Sequence, residues 1–151
     1  MPLLSIQGLT VASNGLHLVD GVDLDVKGGK ISALVGESGS GKSLTALAVI
    51  GLLSNNLELI QGRIEFDSLN IAELSEREMS SLRGRQISMI FQEPVGSLNP
   101  LAPVGVQVAE SLEVHGIASG KRAFSKAIEL MERVGIPQPE IRAKQLPYEL
   151  S

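Results

Sequence analysis

The segment that most constrains this chain is residues 36–43, which read GESGSGKS. It follows a short apolar run, residues 31–36 (ISALVG), and precedes a longer one, residues 44–53 (LTALAVIGLL). The short run is typical of a strand that is covered on both faces, and the long run is typical of a buried helix. The sequence therefore predicts a strand, a glycine-rich loop and a helix in direct succession.

This loop has the composition of an anion-binding site. Its glycines allow the backbone to turn with its N–H groups inward, and the start of the helix adds the positive end of a dipole. Lys42 can reach β- and γ-phosphates, and the Ser43 hydroxyl can ligate Mg²⁺. The alternative is an accidental match, which average residue usage predicts in fewer than about one in a hundred such chains. We predict that nucleotide phosphates contact Gly36, Glu37, Ser38, Gly39, Ser40, Gly41, Lys42, Ser43 and Leu44.

Near residue 92 the predicted secondary structure changes from strands and helices to helices alone. Before it, strands are predicted at residues 3–11, 22–27, 62–68 and 87–92, with a helix at residues 75–84 that opens on a Ser75–Glu78 capping box. After it, helices are predicted at residues 104–115, 120–134 and 139–145, the middle one with an apolar face of Phe124, Ala127, Ile128, Met131 and Val134. We therefore expect an α/β part in residues 1–92 and a helical part in residues 93–151.

Gln92 is a second candidate site residue. It ends the predicted buried strand at residues 87–92, and α/β proteins bind ligands at the carboxyl ends of their strands. A Gln at this point can bond Mg²⁺ or orient an attacking water. It can equally be a polar strand terminus that faces solvent, and position alone does not decide between these readings.

Composition excludes several classes of protein. The net charge of −4 argues against a nucleic-acid partner, since such proteins carry a basic excess. The chain has no Cys, which excludes disulfide scaffolds and thiolate metal sites. Its longest apolar run, residues 44–53, is about half the length that crosses a bilayer.

Taken together, several segments resemble the ATP-binding subunit of an ABC transporter, in the branch that imports dipeptides, oligopeptides or nickel. These segments are LVGESGSGKS, ISMIFQEP about fifty residues later, then SLNP and finally YELS. The resemblance implies the P-loop NTPase fold of an ABC-type nucleotide-binding domain, with an antiparallel β subdomain in residues 1–92. It also implies that Gln92 belongs to the Q-loop and that a helical subdomain follows.

The same resemblance implies ATP and Mg²⁺ as cofactors, with Ser43 and Gln92 as candidate metal ligands. The implied partners are membrane permease subunits, contacted through the Q-loop region, and a second ATP-binding subunit that closes with the first over ATP. The implied location is peripheral, at the cytoplasmic face of the inner membrane.

Two departures from the family pattern bear on function. Leu150 and Ser151 match the first two residues of the family's signature motif, so the resemblance covers an incomplete domain. The catalytic base and its surroundings would lie beyond residue 151, and we expect residues 1–151 by themselves to bind ATP weakly without hydrolysing it. Family members also often stack an aromatic residue on adenine, whereas Ser13 lies near that place and His17 is the nearest planar side chain.

Three functions therefore compete. The first is the ATPase subunit that drives an importer. The second is a soluble P-loop protein that serves no transporter, such as a DNA-repair protein of the same superfamily. That second class would carry a basic or zinc-binding insertion, which this sequence lacks. The third is a truncated remnant that at most binds nucleotide.

Overall fold

The computed structural model describes residues 1–92 and 94–150. Its chain forms two compact units, Met1–Ile87 and Ser88–Ser151, each with its own internal packing. Glu93, which opens the predicted loop after the Q-loop glutamine, and Ser151, the second predicted signature residue, lie outside the described residues. The predicted domain boundary after residue 92 remains a prediction.

The first unit is built on a four-stranded antiparallel sheet. Its strands are β1 (Leu4–Ser13), β2 (Leu16–Val26), β3 (Glu58–Phe66) and β4 (Leu69–Asn70), in the order β2-β1-β3-β4. Asn14 and Gly15 connect the first two strands with positive φ angles of 48° and 79°. A type I′ hairpin turn needs positive φ at both positions, and Asn-Gly adopts it at little cost. The strands predicted at residues 3–11, 22–27 and 62–68 are confirmed, and β2 begins six residues before its predicted start.

The core of this unit lies between the sheet and the helix that follows the glycine-rich loop. Its fully buried large side chains all come from β1 and β3: Ile6, Leu9, Val11 and Ile64. Helix α1 (Lys42–Val49) packs near β1 and buries Thr45, Ala48 and Val49. The helix is shorter than the predicted residues 44–53, and Gly51 with φ of 63° ends it. The loop before α1 is therefore fixed to the sheet through the helix.

The two predicted buried strands, residues 31–36 and 87–92, are wrong. Neither segment is a strand, and Ile31, Val35 and Ile90 are 101%, 86% and 91% exposed. A strand of the parallel type needs neighbours that supply both its hydrogen bonds and its covering layers. Apart from a single bridge between Arg83 and Ile87, the described residues pair neither segment with a neighbouring strand, so no sheet buries these apolar side chains.

Helix α2 (Glu76–Leu82) confirms the predicted capping box. Ser75 Oγ accepts from the Glu78 N–H, and the Glu78 carboxylate accepts from the Ser75 N–H at 2.8 Å and from its hydroxyl. These hydrogen bonds lower the pKa of Glu78 from its ordinary value. The pKa of Glu76 is also lowered, first by its hydrogen bonds from Arg83 and then by that guanidinium's charge.

The second unit contains α3 (Val104–Val114), α4 (Gly120–Arg133) and α5 (Pro139–Arg142), close to the predicted helices. On α4, Ala127 and Met131 are buried and Phe124 and Ile128 are partly buried, which confirms the predicted face for these four residues. Val134 is 76% exposed, so its assignment to that face is wrong. It falls just after the helix ends, where the helical spacing no longer sets its direction.

Acid should destabilise the first unit through Glu78. Because its folded pKa is lowered, its stabilising contribution is present above the unfolded pKa and is lost as the pH falls through the folded one. We expect Glu78→Gln to retain the cap, since Gln also accepts at this position, and to reduce the loss of stability between about pH 7 and pH 3. Urea unfolding at both pH values, followed by circular dichroism, measures the difference.

The matched control is Glu73→Gln, whose carboxylate makes no hydrogen bond or ion pair to any residue that the structure describes. This control should retain the wild-type acid sensitivity. An equal fall in stability for Glu78→Gln and wild type would contradict the prediction.

Candidate functional site

The glycine-rich loop turns into helix α1 through two left-handed glycines. Gly39 and Gly41 have φ angles of 81° and 85°, a conformation that side-chain-bearing residues rarely adopt. Gly41 is the N-cap of α1, and Lys42 is its first residue. A Cβ at Gly36 would lie 2.8 Å from Ser40 Oγ, so this glycine allows the two ends of the loop to approach each other.

Gly41 also fixes the loop against strand β2. A Cβ there would lie 2.8 Å from Val19 Cγ2 and 3.2 Å from the Leu18 carbonyl oxygen. The Gly41 carbonyl accepts from the backbone N–H of Thr45 at 2.8 Å and from its hydroxyl at 3.0 Å. Thr45 is buried. The turn is therefore fixed by strand β2 on one side and by helix α1 on the other.

Lys42 folds back over its own loop. Its ammonium donates to the carbonyl oxygens of Gly36 at 2.8 Å and Glu37 at 2.6 Å, and to Ser40 Oγ at 3.1 Å. These acceptors come from three positions around the turn, so the Lys42 ammonium is fixed at the open side of the loop. A free ammonium has three donors, and this arrangement uses all of them.

A cavity of about 160 Å³ opens at this point, lined by Gly39, Ser40, Gly41, Lys42, Ser43 and Leu44. Whole small-molecule sites are larger, at about 300–1,000 Å³, so this cavity suits the charged part of a ligand. The start of α1 contributes backbone N–H groups and a positive dipole end. No acidic side chain lies in the first turn of α1, a helix that the structure describes in full, so nothing there offsets this positive potential.

Ser43 and Gln92 are the two predicted metal ligands. Ser43 is exposed at the second position of α1 and lines the cavity. Its hydroxyl supplies an oxygen atom, which is the kind of ligand that Mg²⁺ takes. Gln92 belongs to the other unit, where it is exposed in a bend and lines a cavity of about 520 Å³ with Phe91, Gly96 and Ser97. The predicted placement of Gln92 at the end of a buried strand is wrong, and a shared metal ion stays a prediction.

Sequence reasoning missed the residues that support the loop. Val19 was not singled out; it lies close to the loop because Gly41 has no Cβ that would meet it. Thr45 was counted only as part of the apolar run at residues 44–53. Its position four residues after Gly41 could have identified it, because a Thr hydroxyl in a helix can donate to the carbonyl four residues earlier. Arg83 was missed as well, because its partners Ile50 and Gly51 are remote in sequence.

Comparison with known proteins gives a consistent result. The ABC transporter family matches residues 19–151. The probable peptide ABC transporter ATP-binding protein y4tR of Sinorhizobium fredii is 44% identical over 132 residues, covering 87% of this chain and 39% of that protein. The dipeptide transport ATP-binding protein DppD of Escherichia coli is 37% identical over 155 residues, covering all of this chain and 47% of that protein. The chain thus spans less than half the length of these relatives.

A solved structure supports the fold. It is described as a dimeric post-hydrolysis state of an ATP-binding cassette bound to ADP and Pi, and it matches with a TM-score of 0.82 at 23% identity. The match covers 98% of this chain and 63% of that one. The P-loop fold class implied by the family resemblance is confirmed. The loop geometry, the family match and the relatives agree that this chain belongs to the ABC transporter family and contains part of its ATP-binding domain.

Proposed function

We propose that the chain binds the phosphates of ATP with residues 36–44 as part of the ATP-binding subunit of a peptide importer. The observation that carries this proposal is the loop itself, in which left-handed glycines, the start of α1 and the Lys42 ammonium converge on one small cavity. Backbone N–H groups and a positive side chain at a helix start favour a phosphate.

Binding of a phosphate requires Lys42 to exchange a partner. All three of its donors are used within the loop, and the longest of the three hydrogen bonds, to Ser40 Oγ at 3.1 Å, is the one most readily given up. The two carbonyl bonds then keep the ammonium in place while the released donor turns to phosphate. A charged hydrogen bond of this type is about twice as strong as a neutral one.

The Ser43 hydroxyl fits a Mg²⁺ ion that travels with the nucleotide. This ion keeps several waters and takes only one or two protein oxygens beside the phosphates, so one hydroxyl at the cavity wall is a sufficient donor. Gln92 is the second proposed ligand or a positioner of water, by its assignment to the Q-loop. A bound Mg²⁺ would offset phosphate charge, and Ser43 would hold the ion from the start of α1.

The proposal for the complete protein rests on its relatives. One is named for peptide transport and another for dipeptide transport, which favours peptide over nickel as cargo. From the same relatives we infer that the partners are membrane permease subunits and a second ATP-binding subunit. The complete protein would then act at the cytoplasmic face of the inner membrane. None of the helices within residues 1–92 and 94–150 has both the length and the hydropathy needed to cross a bilayer.

The segment around Leu101 is the proposed contact with the permease. Gln107 of α3 donates to the Asn99 carbonyl at 2.9 Å and the Ala102 carbonyl at 2.8 Å, and accepts from the Asn99 N–H. These bonds hold the turn in one conformation while Leu101 is 86% exposed. A fixed turn that presents an apolar side chain is suited to a protein partner.

Lys42→Ala should reduce affinity for Mg-ATP on the order of tenfold or more, because it removes a charged contact with phosphate worth about 1.5–3 kcal/mol. The fold should persist, since the side chain bonds only to its own exposed loop. Isothermal titration of folded protein measures the change.

Lys30→Ala is the control for the loss of one positive charge, since Lys30 is exposed outside the loop. It should retain wild-type affinity. Equal affinities for Lys42→Ala and wild type would refute the role of the ammonium in phosphate binding.

Leu101→Cys should cross-link to a permease subunit carrying cysteines on its cytoplasmic loops. Because the chain has no native Cys, each introduced thiol reports from one position. The measurement is gel analysis of the assembled transporter after treatment with a short bifunctional reagent. Asp67→Cys, in the β3–β4 turn, is the control and should give little product. Efficient cross-linking at Asp67 with none at Leu101 would place the contact elsewhere.

A further inference from the structure

A second cavity of the first unit lies at the end of α1 that is remote from the glycine-rich loop. Its volume is about 230 Å³. Most of the residues that line it carry apolar side chains: Ala48, Leu53, Leu59, Ile71, Ala72, Leu74 and Met79. Ala48, Ile71 and Met79 are buried, and the three leucines are partly buried. The lining is therefore apolar, with one part that is buried and one part that solvent reaches.

One ion pair supplies the charged groups of this cavity. Arg83 and Glu76 both line it, and the guanidinium donates to both carboxylate oxygens. The side chain of Glu76 is 76% exposed, and that of Arg83 is 19% exposed. The hydrogen bonds from Arg83 lower the pKa of Glu76 from its ordinary value, so this carboxylate is ionised at neutral pH. The cavity thus presents a positive group and a negative group side by side.

Both members of this ion pair have unused hydrogen-bonding capacity. A guanidinium has five N–H donors. Arg83 uses two of them on the carbonyls of Ile50 and Gly51 and two on Glu76. Within the described part of the chain, its remaining N–H, on Nη1, has no acceptor. A carboxylate can accept about four hydrogen bonds, and among the described residues Glu76 accepts only from Arg83.

The guanidinium is already fixed in the position that a ligand would require. Gly51 has a φ angle of 63°, and a Cβ there would lie 3.1 Å from Arg83 Nη2 and 3.5 Å from Met79 Cε. The absence of a side chain at Gly51 therefore lets Arg83 lie against the end of α1, where two backbone carbonyls hold it. A group that is ordered beforehand loses less conformational entropy when it binds a ligand.

The adjacent charges restrict the kind of ligand that fits. Arg83 and Glu76 are hydrogen-bonded to each other, so the unused donor and the unused acceptor positions lie close together. An α-amino acid carries its ammonium and its carboxylate on one carbon, whereas even a dipeptide separates them by a peptide unit. An aliphatic side chain on the same carbon would match the apolar lining.

We propose that this cavity binds a free amino acid with an aliphatic side chain, such as leucine. Its carboxylate accepts from Arg83, its ammonium donates to Glu76, and its side chain lies among the apolar residues. The volume of about 230 Å³ is below the range of about 300–1,000 Å³ for drug-sized ligands, which suits so small a molecule. Free amino acids are the products of peptide hydrolysis, so their relation to the cargo rests on the proposed function, whereas their binding does not.

Titration of the ¹⁵N-labelled 151-residue chain with L-leucine, followed by NMR, tests this site. We expect a Kd on the order of 1 mM, with shift changes at the N–H groups of Gly51, Ala72 and Met79. Three further ligands each lack one feature: 4-methylpentanoate has no ammonium, leucinamide has no carboxylate, and L-alanine has no aliphatic branch. Each should bind on the order of fivefold more weakly than leucine.

Glu76→Gln should weaken leucine on the order of fivefold without weakening 4-methylpentanoate, because only leucine carries an ammonium. The amide keeps an acceptor for Arg83. Glu73→Gln is the matched control, since it removes the same charge from an exposed residue that does not line the cavity, and it should retain wild-type affinity.

Leu53→Ala should weaken leucine and 4-methylpentanoate alike, on the order of threefold, because both place an aliphatic chain against this wall. Its matched control is Leu52→Ala, which truncates the neighbouring leucine. Leu52 is 43% exposed and does not line the cavity, so leucine affinity should not change.

Several results with wild type would overturn the proposal, and they hold even where a variant does not fold. These are the absence of shift changes around the cavity at about tenfold the expected Kd, equal affinities for leucine and 4-methylpentanoate, and tighter binding of leucylglycine than of leucine. Lys42→Ala separates this site from the phosphate site. It should bind leucine like wild type, since Lys42 lies at the other end of α1.

Discussion

The close approach of Gly41 to Val19 is the contact on which the site depends. It brings the last left-handed residue of the loop against β2 at a distance that no Cβ allows. Thr45 holds the same residue from inside α1 with two hydrogen bonds. A flexible glycine-rich loop would lose much conformational entropy on binding an anion. Because the sheet and the helix both fix its final residue, part of this ordering is complete before a ligand arrives.

Arg83 fixes the other end of α1. Its guanidinium donates to the carbonyls of Ile50 at 2.7 Å and Gly51 at 3.0 Å, and to both carboxylate oxygens of Glu76. The last turn of α1 contains no basic residue of its own. The planar fork of Arg83 therefore satisfies carbonyls at the negative end of the helix and connects it to α2. A Lys could not serve all these partners at once, since it lacks the fork geometry.

The sequence predicted the locally determined elements well. The Ser75–Glu78 box and the loop before α1 follow from rules that act over a few residues, and these elements are present. The apolar runs at residues 31–36 and 87–92 were predicted wrongly, since burial of a parallel strand depends on neighbours distant in sequence. The role of Arg83 was missed for the same reason, because its acceptors Ile50 and Gly51 lie more than thirty residues away in sequence.

The groups that meet at the start of α1 act mainly on the charge of a ligand. The proposed phosphate site combines a preorganised turn, a helix start and a lysine held by two carbonyls, all of which act on charge. Charged hydrogen bonds are directional and sensitive to distance, while apolar contact tolerates changes in shape and polarity. A site of this kind favours a ligand that carries negative charge, because its backbone N–H groups and its ammonium both act on charge.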